Sequence, residues 1–298
     1  MEKKDRISFY DQIARNKRKS LFLVVIIILV IVALAYVIGQ LYGDPFLFLI
    51  AGTIIAIIYV LIGYYGSSSL ALAGVKAIEA DRRKYAEYYN LVEGLTIASG
   101  LPMPKLYIME NTQINAFASG RNPSKSVICV TTGALEKLNR QELEGVLSHE
   151  LSHIANYDMR FMTLVAVLIG MIAIISEMFL RSLWFSNGRR DNNKSGAIFL
   201  IIGIVLAILA PILVRLVQLS ISRKREYAAD ASAVKFTRSP TGLIGALKKI
   251  KNENLNPNES KKISKTLAPL FISNPFKNSD ITSTHPSLSK RIEILERM

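Results

Sequence analysis

Cysteine, tryptophan and histidine are scarce in this chain of 298 residues, with one, one and three copies. A single cysteine excludes an intrachain disulfide and any Cys-rich metal cluster. Cys129 lies in a β-like run, as a small buried hydrophobe would. Acidic residues are also in the minority, 23 against 37 Lys and Arg, for a net charge of +14. The basic residues do not interleave with aromatics along a groove, which argues against nucleic acid as a partner. They gather beside long apolar runs, as membrane-flanking charge does. Half the chain is hydrophobic and its mean hydropathy is +0.29, too apolar for an ordinary soluble domain.

With three histidines in all, the run Ser148-His149-Glu150-Leu151-Ser152-His153 stands out. On a helix, residues four apart share a face, with Cβ atoms about 5–6 Å apart. His149 and His153 can therefore hold one metal ion from the same side, and two imidazoles suit Zn²⁺. Glu150 lies where it can reach a water on that ion and act as general base. Asn139 and Glu142 form a capping-box pattern ahead of the motif. Leu143, Val146, Leu147, Leu151 and Ile154 make an apolar stripe at helical spacing.

Four apolar blocks divide the chain. After a basic N-terminus, 1–20, spans of about 21–39 and 46–65 form a hairpin through 21–65. A second hairpin, 161–217, has spans of about 161–180 and 197–217. Each block approaches the ~20 residues that cross a bilayer. The two polar stretches, 66–160 and 218–298, together make the catalytic domain. The positive-inside rule puts the N-terminus, C-terminus and active site in the cytoplasm of a multi-pass cell-membrane protein. The loop 181–195, with Arg181, Arg189, Arg190 and Lys194, is more basic than that topology asks. Within 66–160, Lys76–Ser99 reads as one amphipathic helix with Leu91, Leu95 and Ala98 on one face. Strands follow at Lys105–Met109, Asn115–Ala118 and Ser126–Thr132. The fold class expected is a mainly α membrane protein, with four spans and an α+β domain built on a small sheet.

A catalytic zinc needs a third protein ligand and an open position. Glu226 fits that place, on a helical stretch leaving the fourth block. Asp230, one turn on, fits an acceptor that orients a ligating imidazole. Eight residues separate His153 from Phe161, and nine separate Val217 from Glu226. Unbroken helices at about 1.5 Å per residue would put the ion roughly 12–14 Å from the membrane interface.

The combination of the paired N-terminal spans, Asn115-Ala116-Phe117-Ala118, His149–His153, a hydrophobic hairpin, Arg225-Glu226, Ala229-Asp230 and Thr284-His285-Pro286-Ser287 resembles the HtpX-type membrane zinc endopeptidases, relatives of the CAAX prenyl endopeptidases. The resemblance covers nearly the whole chain. It implies a gluzincin-like protease facing the cytoplasm, with one Zn²⁺ per subunit, that acts in membrane-protein quality control. It assigns zinc to His149, His153 and Glu226, the base to Glu150 and the outer carboxylate to Asp230. Residues 115–118 would be an edge strand on which an unfolded or membrane-protein substrate pairs. Three roles stand open for His285: donor to an oxyanion, occupant of the open metal position, or plain loop residue. Arg291 either docks this loop or faces solvent. The segment 251–280, with its apolar island at Leu267–Phe276, is a lid, a membrane-dipping loop or a variable surface loop. A homo-oligomer is compatible with all of this. The rival readings are an intramembrane protease, a prenyl-protein protease and a non-enzymatic scaffold with a structural zinc.

Overall fold

The computed structural model describes scattered positions between 14 and 39, then 43–162, 223–253, 256–261, 263, 267–276 and 286–298. The third apolar block beyond Met162, the whole of the fourth, the loop 181–195 and His285 lie outside the described residues.

Helix α1, Pro45–Gly74, opens with Asp44 accepting from the Leu47 N–H at 3.0 Å and with a proline in its first turn. Both devices suit a helix start. Its 30 residues span about 45 Å, more than the ~30 Å hydrocarbon core of a bilayer. Phe46, Leu47, Ile50, Ile54, Ile55, Ile58, Leu61 and Ile62 are exposed on it. Among the described residues it is the one helix long and apolar enough to cross a membrane. The described positions from 14 to 39 that precede it are helical too. A Cβ on Gly52 would lie 2.2 Å from the Ala35 Cβ, so the two segments touch through small residues, as packed membrane helices do.

The helix does not stop at residue 65. Ser67 donates back to the Tyr64 carbonyl, and Ser68 meets the Ser119 hydroxyl, both at 3.4 Å. Ser67 and Ser68, beyond the expected end of the span, are thus satisfied within or beside the helix. Ala71, Leu72 and Val75 then enter a hydrophobic cluster with Phe117 and Cys129. Arg121 covers the Tyr65 ring at 4.6 Å and Arg160 the Tyr64 ring at 5.0 Å. Tyrosine is enriched at membrane–water boundaries in general.

Strand β1, Ile78–Glu79, follows a turn at Lys76, whose φ is 53°. The single helix expected over Lys76–Ser99 is therefore replaced by β1, a turn and a shorter helix α2, Ala86–Ser99. The cause is tertiary: Ile78 and Glu79 pair antiparallel with the next strand. Asp81 then accepts from the Arg83 and Lys84 N–H groups, fixing the turn. Tyr88, Leu91, Val92 and Leu95 form the buried face of α2, while Ala98 is exposed. Gly100 ends the helix in the left-handed conformation, φ 70°.

Strands β2 (Lys105–Met109), β3 (Ala116–Gly120) and β4 (Ser126–Thr131) complete a mixed sheet of order β1-β2-β4-β3. Only β2 and β4 run parallel. β3 begins one residue later than the sequence suggests: the Asn115 carbonyl still accepts from the Thr131 N–H, but its own N–H goes to the Thr131 side chain instead of the ladder. Cys129 is fully buried in β4 and is free.

Helix α3, Thr132–Lys137, leads into α4, Arg140–Ala155, which carries the histidine motif. The capping box forms as expected: Glu142 N–H to Asn139 Oδ1 at 2.9 Å and Asn139 N–H to Glu142 Oε2 at 2.8 Å. All five stripe residues are buried. Helices α5 (Arg223–Thr237) and α6 (Thr241–Asn252) flank α4. A Cβ on Gly145 would meet the Leu243 nitrogen at 2.4 Å, and one on Gly242 the Gln141 oxygen at 2.2 Å. α4 and α6 thus touch backbone to backbone. The short helix α7, Pro257–Lys261, docks on residues 111–114 through Asn111 Nδ2 to Glu259 O and Gln113 Nε2 to Asn256 O, each 3.2 Å. Helix α8, Leu288–Leu295, closes the chain against α5 and α6.

Helix α4 ends at Asn156, and Tyr157 takes φ 57° before helical conformation resumes at 158–162. The condition of an unbroken helix from His153 to Phe161, on which the depth estimate rests, therefore fails.

Candidate active site

Three side chains converge where α4 crosses α5. His149 Nε2 lies 3.2 Å from His153 Nε2 and 3.6 Å from Glu226 Oε2, and His153 Nε2 lies 3.8 Å from Glu226 Oε1. The three residues are buried and their ligand atoms all fall within 4.8 Å of one another. Two atoms bound tetrahedrally at about 2.05 Å from one ion would be ~3.3 Å apart. The donor set thus fits a zinc-sized ion.

The second nitrogen of each ring is engaged. His149 Nδ1 is 2.9 Å from Asp230 Oδ1, and His153 Nδ1 is 3.3 Å from Asp158 Oδ2. A carboxylate there accepts a hydrogen bond from Nδ1–H, which fixes the tautomer whose Nε2 carries the lone pair. Two lone pairs facing each other at 3.2 Å call for a positive charge between them. Burial and the Arg291 guanidinium push the His149 pKa down, yet hydrogen bonds to Asp230 and Glu226 raise it to about 9. Without a cation, a proton answers the same demand, so proton and metal compete for this ring.

Asp230 is itself held by Arg291, whose Nε donates to Oδ2 at 2.9 Å and whose Nη2 donates to Oδ1 at 2.6 Å. Burial disfavours the Asp230 charge. Arg291 and His149 more than offset it and hold the carboxyl down at about 2. Arg291 is completely buried, and its Nη1 lies 3.8 Å from Glu226 Oε2. It therefore docks rather than facing solvent. Its signal, an arginine six residues beyond His285, does not by itself tell docking from exposure.

Glu150 is 1% exposed. Burial raises its pKa above the ordinary carboxylate range, while His149, His153 and a hydrogen bond with the Ala118 backbone pull it back. Its Oε1 has no hydrogen-bond partner among the described residues. A buried carboxylate with a raised pKa and an uncommitted oxygen is suited to receive a proton.

The expected edge strand lies beside this group. Ala116, Phe117 and Ala118 belong to β3, at the margin of the sheet, and Asn115 directly precedes it. That margin is not open: Ile272 N–H donates to the Ala116 carbonyl at 3.0 Å. Asp158 is the site residue that sequence reasoning missed. Its signal, an acidic residue five beyond the second motif histidine, is weak because the turn at Asn156–Tyr157 is what brings it back.

The model of peptidase family M48 matches residues 83–298. The chain therefore belongs to peptidase family M48 and is a membrane-associated metallopeptidase of the HtpX type. It is 40% identical over 296 residues to a protein named Protease HtpX homolog from Caldanaerobacter subterraneus subsp. tengcongensis, covering 98% of both chains. A protein of the same name from Dictyoglomus turgidum is 42% identical over 300 residues, covering 98% of this chain and 95% of that one. The crystal structure of S. mikatae Ste24p gives a TM-score of 0.49 at 19% identity, over 95% of this chain and 65% of that one.

Proposed function

We propose that the chain is a zinc-dependent endopeptidase that hydrolyses misfolded or damaged membrane proteins on the cytoplasmic side of the cell membrane. The carrying observation is the meeting of two carboxylate-oriented imidazoles with Glu226, beside the buried Glu150. His149, His153 and Glu226 would hold one zinc per subunit. When bound, zinc polarises the scissile carbonyl and acidifies a water. Glu150 would take a proton from the attacking water as its oxygen bonds to the scissile carbonyl carbon, and return it to the amine nitrogen as the C–N bond breaks. Asp230 and Asp158 keep each imidazole in the tautomer that presents Nε2. β3 aligns an extended substrate through its backbone, which tolerates many sequences and suits unfolded chains.

The four spans, the cytoplasmic termini and the homo-oligomer belong to this reading. External labelling of a cysteine placed in 181–195 tests the topology; labelling from the cytoplasmic side alone would refute it. A structural zinc scaffold has no use for a buried carboxylate with an uncommitted oxygen at Glu150. Replacing Glu150 by Gln should leave the zinc content unchanged and lower casein cleavage by about 10²–10⁴-fold. Undiminished cleavage by that variant refutes the assigned base.

A further inference from the structure

The free margin of β3 already carries a peptide, and the peptide is the chain's own. Phe271 sits opposite Phe117 in an antiparallel bridge. The hydrogen bond from Ile272 N–H to the Ala116 carbonyl flanks that pair, which makes it the close, non-hydrogen-bonded kind. The two rings lie edge to face at 5.1 Å. One residue on, Asn115 clasps Ser273: its Nδ2 donates to the Ser273 carbonyl at 2.9 Å and its Oδ1 accepts from the Ser273 N–H at 3.4 Å. The Ile272 carbonyl accepts from Arg291 Nη1 at 3.1 Å.

These contacts fall inside the catalytic site. The guanidinium nitrogen that holds the Ile272 carbonyl is 3.8 Å from the carboxylate of Glu226. Ala118, two positions along β3 from Ala116, engages Glu150 through its backbone. Backbone groups two residues apart in a strand point the same way. The margin that receives Ile272 is therefore the margin that faces the base. The side chains of Phe271 and Ile272 are buried, 1% and 2% exposed. They fill apolar space on either side of the strand, in two separate hydrophobic clusters.

We propose that residues 270–273 are an internal occupant of the substrate groove, which an incoming polypeptide must displace. Resting on the protease reading above, the proposal also names a substrate preference. The groove accepts an extended segment with three consecutive bulky apolar residues followed by a small polar one, as in Leu270-Phe271-Ile272-Ser273. Such segments are hidden in folded proteins and become available when a chain unfolds. Competition with the occupant therefore selects for unfolded substrates.

Two measurements on the full-length, zinc-loaded chain test this. In the first, Phe117→Cys and Phe271→Cys are combined with Cys129→Ala. A non-hydrogen-bonded pair, with Cα atoms about 4.5 Å apart, is within disulfide range. Oxidation should lower casein cleavage at least ~10-fold, and a phosphine reductant should restore it. A crosslinked chain that cuts casein as fast as the reduced one overturns the proposal. So does failure of the two thiols to crosslink in a folded chain. In the second, a labelled peptide of residues 268–276 is titrated by anisotropy into chains carrying Glu150→Gln, with and without Ile272→Pro. The proline removes the N–H that Ala116 receives, so it should free the groove and tighten peptide binding by at least ~10-fold. The same peptide carrying Ile272→Pro should not bind. Equal affinity for both chains overturns the proposal, even if the cysteine variant does not fold. Peptide binding needs no turnover. Binding without any casein cleavage by the wild-type chain would sink the protease reading and keep the occupant. Chelator-sensitive cleavage indifferent to the crosslink would do the reverse.

Discussion

The two halves of the site are built in opposite ways. On α4, each feature arises from neighbours in sequence: the Asn139–Glu142 box, the apolar stripe, and histidines one turn apart. The half contributed after residue 223 has little local logic. Glu226, Asp230, Ile272 and Arg291 come from three separate segments and meet only because each finds a charge or a carbonyl across the fold. Local devices act one at a time and should fail gently. A buried charge network fails abruptly when one member goes.

The widest expected gap comes from Arg291→Met. It leaves the Asp230 carboxylate buried without its bidentate partner, a loss of ~3–5 kcal/mol. Urea unfolding of the metal-free chain measures it, and a loss below ~1 kcal/mol would erase the contrast. Next comes the orientation of the imidazoles. Asp230→Asn should weaken zinc affinity about 10–100-fold. Asp158→Asn should cost less, because its contact is 3.3 Å against 2.9 Å; competition with a chromogenic chelator ranks the two.

Acid sharpens the contrast further. Asp230 is held at about 2 against an ordinary 3.8. A lowered folded-state pKa means that its contribution is complete above the unfolded value and is lost as pH falls through about 2. The contribution is ~2 kcal/mol. Its loss should appear as a steeper acid limb in wild type than in Asp230→Asn. The smallest effect belongs to the local half: Asn139→Ala should cost ~1 kcal/mol with no change in zinc affinity.

That contrast also explains what could be read from the residues alone. The motif, the caps, the stripe of α4 and strand β2 were legible, since each is a short-range pattern with a physical period. Glu226 and Asp230 were legible as well, because a histidine pair demands a third donor and a partner for Nδ1. The start of α2 was not, since Ile78 and Glu79 leave a helical pattern to pair with β2. Nor was the end of α1, where hydroxyls on Ser67 and Ser68 bond to groups close at hand. Asp158 depends on a left-handed Tyr157, which no periodicity announces. The occupied margin of β3 depends on a contact between residues more than 150 positions apart.

The paired glycines set a tolerance on the metal site. With Gly145 and Gly242 in backbone contact across α4 and α6, no side chain lies at that crossing to absorb a shift. A methyl group at either position must push α4 bodily, and the imidazoles travel with it. A ligand sphere needing tenths of an ångström is thus calibrated by two residues that carry no chemistry.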